Sequence, residues 1–125
     1  MRLLFIFLFI SGISYSQGKV MSRYNNGAKC VVIFYTGTGI SEKISKKYHY
    51  DEYSAEIKAI ETYSPKGHIA EIKWWSYDEN GKKYLMYVDK SYDVVFMGYG
   101  KVKRTEYNNR GEIVGVNEYE GVLKF

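Results

Sequence analysis

The chain has 125 residues, a formal net charge of +4 and a pI near 9.0, with 14 tyrosines, 12 glycines, one proline and one cysteine. A lone cysteine excludes an intramolecular disulfide framework, and two histidines with no ligand-spaced cluster exclude a metal centre by sequence pattern. The length fits one domain, and tyrosine-rich, glycine-punctuated, proline-poor composition favours antiparallel β structure.

In chain order, Met1-Arg2, the apolar run Leu3–Ile10 and the small residues Ser14 and Ser16 read as a secretory signal cleaved between Ser16 and Gln17. The apolar run is far shorter than the ~20 residues a membrane helix needs. The expectation is therefore a signal peptide over 1–16 and a single all-β domain over 17–125, exported to the periplasm or the extracellular space. For such a chain a mild basic surplus permits contact with a membrane surface or an anionic glycan but gives no reason to invoke nucleic acid.

Gly18 to Arg23 is a loose lead-in, and Tyr24-Asn25-Asn26-Gly27 is a turn of the asparagine-glycine kind. Ala28 to Thr36 is a continuous β-branched and aromatic run, a strand covered on both faces, with Cys30 as a buried, inert thiol. Thr36-Gly37-Thr38-Gly39 has the glycine spacing of a phosphate cradle, but no lysine or helix start follows, so it reads as a hairpin loop. Ile40 to Tyr50 alternates as a half-buried strand, and His49, Asp51 and Glu52 fall around a solvated turn. Tyr53 to Tyr63 has helical spacing at Tyr53, Ile57 and Ile60, yet its Ala55-Glu56-Ile57-Lys58 recurs as Ala70-Glu71-Ile72-Lys73, which runs straight into Trp74-Trp75. Both copies are expected as strands, with a short helix at 53–63 as the alternative.

Beyond this the sequence reads as a meander. His68 to Tyr77 is a strand, Asp78 to Gly81 a turn, Lys82 to Asp89 a strand and Lys90-Ser91 a turn. Tyr92 to Tyr107 is one long strand with a bulge or bend at Gly98-Tyr99-Gly100, Asn108 to Gly111 turns, and Glu112 to Tyr119 returns. The fold class is all-β: an antiparallel meander sheet of seven to eight short strands, with a half-barrel or small barrel as its curled form.

The phrase Tyr-x-x-x-Gly recurs at Tyr63/Gly67, Tyr77/Gly81 and Tyr107/Gly111. It resembles the short tyrosine-glycine hairpin repeats, YD-type and MORN-variant, of exported bacterial proteins. That resemblance implies a β-hairpin array that scaffolds or binds partners and carries no shared catalytic residues. The end of the chain, Leu123-Lys124-Phe125, is similar to the closing strand of outer-membrane β-barrels, but short, charged strands argue against a membrane barrel.

Neighbouring Trp74 and Trp75 must point to opposite faces of a strand, so one is core and the other a candidate anchor beside Tyr77, Tyr84 and Tyr87. These five are the expected binding residues. Glu56, Glu71 and Glu112 recur only as the solvent-side residue of the repeat, and no nucleophile, base or metal signature is present, so neither catalysis nor a cofactor is expected. The expected function is a binding or structural module that engages a protein, glycan or envelope surface through an aromatic sheet face. A periplasmic enzyme inhibitor or immunity-type protein, acting through Thr36–Gly39 or Asp78–Lys83, is the alternative. The copies differ where Ala59-Ile60 becomes Trp74-Trp75, and function is sought at that departure.

Overall fold

The structure is a computed structural model that describes residues 18–125, so the expected signal segment lies outside the described residues. Eight strands form one antiparallel sheet in strict sequence order: β1 Lys19–Arg23, β2 Lys29–Thr36, β3 Lys43–Tyr50, β4 Ile57–Tyr63, β5 Ile69–Tyr77, β6 Lys83–Phe96, β7 Tyr99–Tyr107 and β8 Ile113–Val122. The sheet is a meander and is not closed: β1 and β8 are its edges. Among the described residues no helix is long and apolar enough to cross a membrane.

The glycine phrase is a turn device. In Tyr24–Ala28, Ser64–His68, Asp78–Lys82 and Asn108–Glu112 the glycine N–H donates to the first residue's carbonyl, and the first residue's N–H donates to the carbonyl of the fifth. Each glycine, Gly27, Gly67, Gly81 and Gly111, has φ between 78° and 93°, a region costly for residues with a Cβ. In two of the turns the side chain at the first position completes the motif: Asp78 Oδ1 accepts from the Asn80 and Lys82 N–H groups, and Asn108 Oδ1 accepts from Arg110 and Glu112. Past each turn the returning strand carries one unpaired residue: Cys30, Ala70, Met86 and Val114 each fall between consecutive register pairs. Such bulges strengthen twist, so repeated turns followed by bulges coil the sheet.

The degree of coiling follows from the tail. Val122 pairs with Tyr99, yet Phe125, three residues on, stacks against His49 of β3. Three residues reach at most ~10 Å, whereas five strand spacings of a flat sheet exceed ~20 Å. The sheet must therefore curl into a half-barrel whose inner face the tail crosses. Leu123 is buried there in a cluster with Ile72 and Val102, against which Ile69 and Trp74 pack.

Several local expectations change. Lys19–Arg23 is an edge strand rather than a loose lead-in, because its backbone pairs with Lys29–Ile33. Ile40 lies in a single 3₁₀ turn, Gly39–Ser41, and is fully exposed instead of opening a strand. Tyr53 to Ala55 form a turn in which the Asp51 carboxylate accepts from the Tyr53 and Ser54 N–H groups, so the strand of that segment begins at Ile57. Lys90-Ser91 is strand, not turn: β6 runs on to Phe96, and the chain reverses at Met97-Gly98, where Phe96 faces Tyr99. Cys30 is half-buried rather than buried, as expected of a bulge residue next to the edge strand.

A ring slot on the inner face

Register fixes which side chains share the inner face. One row across the sheet reads Val31, His49, Ala59, Trp74, Tyr87 and Glu106, and the next Ile33, Lys47, Glu61, Ile72, Asp89 and Arg104. In the first row Ala59 stands between two large flat side chains. With no side chain beyond Cβ on β4, a gap opens between the His49 ring and the Trp74 indole. Phe125 fills it, its ring stacked on His49 at 3.9 Å and 9° and on Trp74 at 4.9 Å and 15°. The ring lies over Ala59, which has no exposed surface. Phe125 itself keeps 51% of its surface in solvent, so the slot is open on its outer side.

The walls are held from below. His49 Nε2 pairs with the buried Glu61 carboxylate, whose other oxygen accepts from the Tyr63 hydroxyl at 3.0 Å. Burial raises the Glu61 pKa, but the hydrogen bonds from His49 and Tyr63 outweigh it and hold the carboxyl below its ordinary range. Burial, followed by the neighbouring Glu61 charge, pushes the Tyr63 hydroxyl well above the usual phenol value. The structure thus places His49 on a strand in a part-buried pair, not on a solvated turn with Asp51 and Glu52. On the other wall Trp74 faces Tyr87 with ring centroids 6.0 Å apart, and the Arg104 guanidinium sits 3.9 Å over Tyr87. Arg104 is fixed there by two bonds to buried Asp89, at 2.7 and 2.9 Å, which push the guanidinium pKa up.

The five sequence-derived residues divide between the faces. Trp74 and Tyr87 meet on the inner face. Trp75 lies on the outer face, where the Lys83 ammonium sits 5.3 Å from its ring, and it lines a shallow groove with Ile57, Ile60, Tyr84 and Leu85. Tyr77 stands apart at the exposed end of β5, donating its hydroxyl proton to Glu56. His49, Ala59 and Phe125 were not among the sequence candidates. The signals that lead to them are the alternating apolar positions Leu123 and Phe125 and the alanine, Ala59, that stands where the second copy has Trp74. Among the described residues there is no group of three His, Cys, Asp or Glu side chains placed to hold a metal ion.

No family model matches the chain, and no curated protein matches it. Among solved structures it is similar to a DUF3836 family protein from Parabacteroides distasonis, with 12% sequence identity over 84% of this chain and 89% of that one and a TM-score of 0.40. Likeness at that level supplies neither an activity nor a partner.

Proposed function

We propose that the protein is an exported binding module whose inner-face slot receives a flat ring presented by a partner protein, with Phe125 as the resident occupant when no partner is bound. The observation that carries this reading is Phe125: an aromatic ring stacked on both sides yet half open to solvent. Stacking on His49 and Trp74 rewards a planar ring on both faces, and Ala59 sets the floor depth. The side-chain pairs beneath, His49 with Glu61 and Arg104 with Asp89, preorganise the walls, so little side-chain ordering opposes binding. Export rests on the N-terminal pattern of Arg2, Leu3–Ile10 and Ser14-Tyr15-Ser16.

The test is to vacate the slot with Phe125→Ala and titrate that variant with phenylalaninamide and, separately, with methyl glucoside, following the Trp74 indole N–H by NMR. Saturable shifts with phenylalaninamide alone support a protein ring. Shifts with the sugar alone move the ligand class to glycans, and no shift with either removes the slot as a binding site.

A further inference from the structure

β1 and β8 each pair with a neighbouring strand on one side only. The free side of such a strand presents a row of N–H and C=O groups, and what satisfies that row is another strand. Every residue of β1 and most of β8 are exposed, and Val20 and Met21 on one edge and Val114, Val116 and Tyr119 on the other present apolar side chains to solvent. β8 lacks the proline, the lysine and the shortness that commonly protect an edge, for Ile113–Val122 is 10 residues long.

The two edges are opposite in charge. β1, β2 and β3 carry Lys19, Arg23, Lys29, Lys43, Lys46 and Lys47 and no carboxylate, whereas the charged residues of β8 are Glu118 and Glu120. Arg23 donates to the Gly27 carbonyl, a neutral group that leaves its charge uncompensated. Lys103 and Lys101 stand opposite Glu118 and Glu120, yet among the described residues no ion pair forms between them. Charge therefore disfavours both like pairings. Two β1 edges would oppose cations, and β8 laid antiparallel on its own copy sets Glu118 opposite or diagonal to its counterpart in the registers of fullest same-face overlap.

We infer that the protein self-associates head to tail, the β8 edge of one copy adding to the β1 edge of the next. In a meander of eight strands the first and the last run antiparallel, so a second copy set beside the first in the same orientation meets β8 with an antiparallel β1. Register places Val20 and Arg23 on the outer face of β1, and Val116, Glu118, Glu120 and Val122 on the outer face of β8. With Arg23 opposite Glu120, and the β1 bulge at Met21 counted, Val20 falls opposite Val122, so cation meets carboxylate and valine meets valine. The joint is short, because β1 has 5 residues, and association is accordingly weak and concentration-dependent. Each copy keeps a free edge of either sign, so copies add in series or close into a ring. The contact uses the edges of the sheet and is independent of the ring slot on its inner face.

The experiment follows sedimentation velocity of the native protein and of two charge reversals, Lys19→Glu/Arg23→Glu and Glu118→Lys/Glu120→Lys, each alone and mixed in equal amounts. All four positions are exposed, so both reversals should keep the native circular dichroism spectrum. The native protein should associate as its concentration rises, and each reversal alone should stay monomeric, because its two edges then carry like charge. The mixture should associate again, since the acidic β1 of one variant suits the basic β8 of the other. Val116→Lys, a single change on the β8 edge, should weaken native association by roughly fivefold. A native protein that stays monomeric up to about 1 mM overturns the inference. Association that survives both reversals, as it would if the N-terminal apolar run drove it, overturns it as well, and so does a mixture of folded reversals that remains monomeric.

Discussion

Replacing Phe125 by alanine removes the occupant of the slot, and the cost can be worked from its surroundings. A phenylalanine carries ~150–250 Å² of buriable surface, and with 51% of it exposed the ring buries about 100 Å², worth ~2.5 kcal/mol. Two stacked contacts add ~1–2 kcal/mol, and ordering Lys124 and Phe125 takes back ~2–3 kcal/mol, because Leu123 already anchors the tail. The net loss is about 2 kcal/mol, near 10 °C in the melting midpoint of a domain this size. Leu123→Ala, which empties a position buried against Ile72 and Val102, costs more, about 3 kcal/mol. Thermal unfolding followed by circular dichroism and by tryptophan emission reads both. Phe125→Ala should unfold cooperatively at a lowered midpoint with altered Trp74 emission. A change under ~0.5 kcal/mol with unaltered emission would refute the reasoning, since the ring would then not be packed between His49 and Trp74.

Other expectations follow from the same face. Arg104→Leu leaves Asp89 buried without its partner and costs about 2–3 kcal/mol, reduced from the fully buried case because the Arg104 side chain is 38% exposed; chemical denaturation of this variant and of the Asp89→Leu/Arg104→Leu double should show the double recovering much of the loss. Glu61 is held below its ordinary pKa of 4.5, so the folded state binds fewer protons, its contribution is present above that value, and it is lost as pH falls through the folded value. Urea midpoints measured from about pH 6 to pH 3 should fall for the native chain and fall less for Glu61→Gln. Gly81→Ala adds a Cβ that meets nothing within 4 Å, so its cost of about 1 kcal/mol is conformational, from φ 78°, and Gly81→Asn should cost less in the same denaturation assay.

What the sequence makes legible is whatever is local. The turns at Tyr24–Gly27, Ser64–Gly67, Asp78–Gly81 and Asn108–Gly111 announce themselves because the glycine and a short polar side chain, Asn26 in the first and Ser64, Asp78 or Asn108 at the first position of the others, both act within five residues. With these in place, the antiparallel meander follows. The Met97-Gly98 turn is missed because it breaks the rule that reveals the others, placing methionine where asparagine belongs. Lys90-Ser91 attracts a turn in its stead by composition alone, although register seats both residues opposite Lys103 and Val102. The Ala-Glu-Ile-Lys copies look equivalent but are not: Ala55 sits in a turn with φ 60°, while Ala70 is the unpaired residue of a bulge.

The slot is harder still to read from sequence. Trp74 is conspicuous, but its partners His49, Ala59 and Phe125 meet it only through cross-strand register and through a curl sufficient to bring the end of β8 back to β3. Alternation correctly separates Trp74 from Trp75, yet it cannot say that an alanine, by its smallness, forms the floor. The Ala59-Ile60 and Trp74-Trp75 difference between the copies turns out to be one contact: Ala59 and Trp74 are paired across β4 and β5.

The Ala59 methyl group is therefore the most direct reporter, because it lies under Phe125 and between the His49 and Trp74 rings. Its NMR resonance in the native chain should be displaced by ring currents, move toward the ordinary alanine position in Phe125→Ala, and return saturably when phenylalaninamide is added. A methyl resonance that is ordinary from the start, or that ignores added ring at saturating concentration, would contradict the slot and with it the proposed mode of binding.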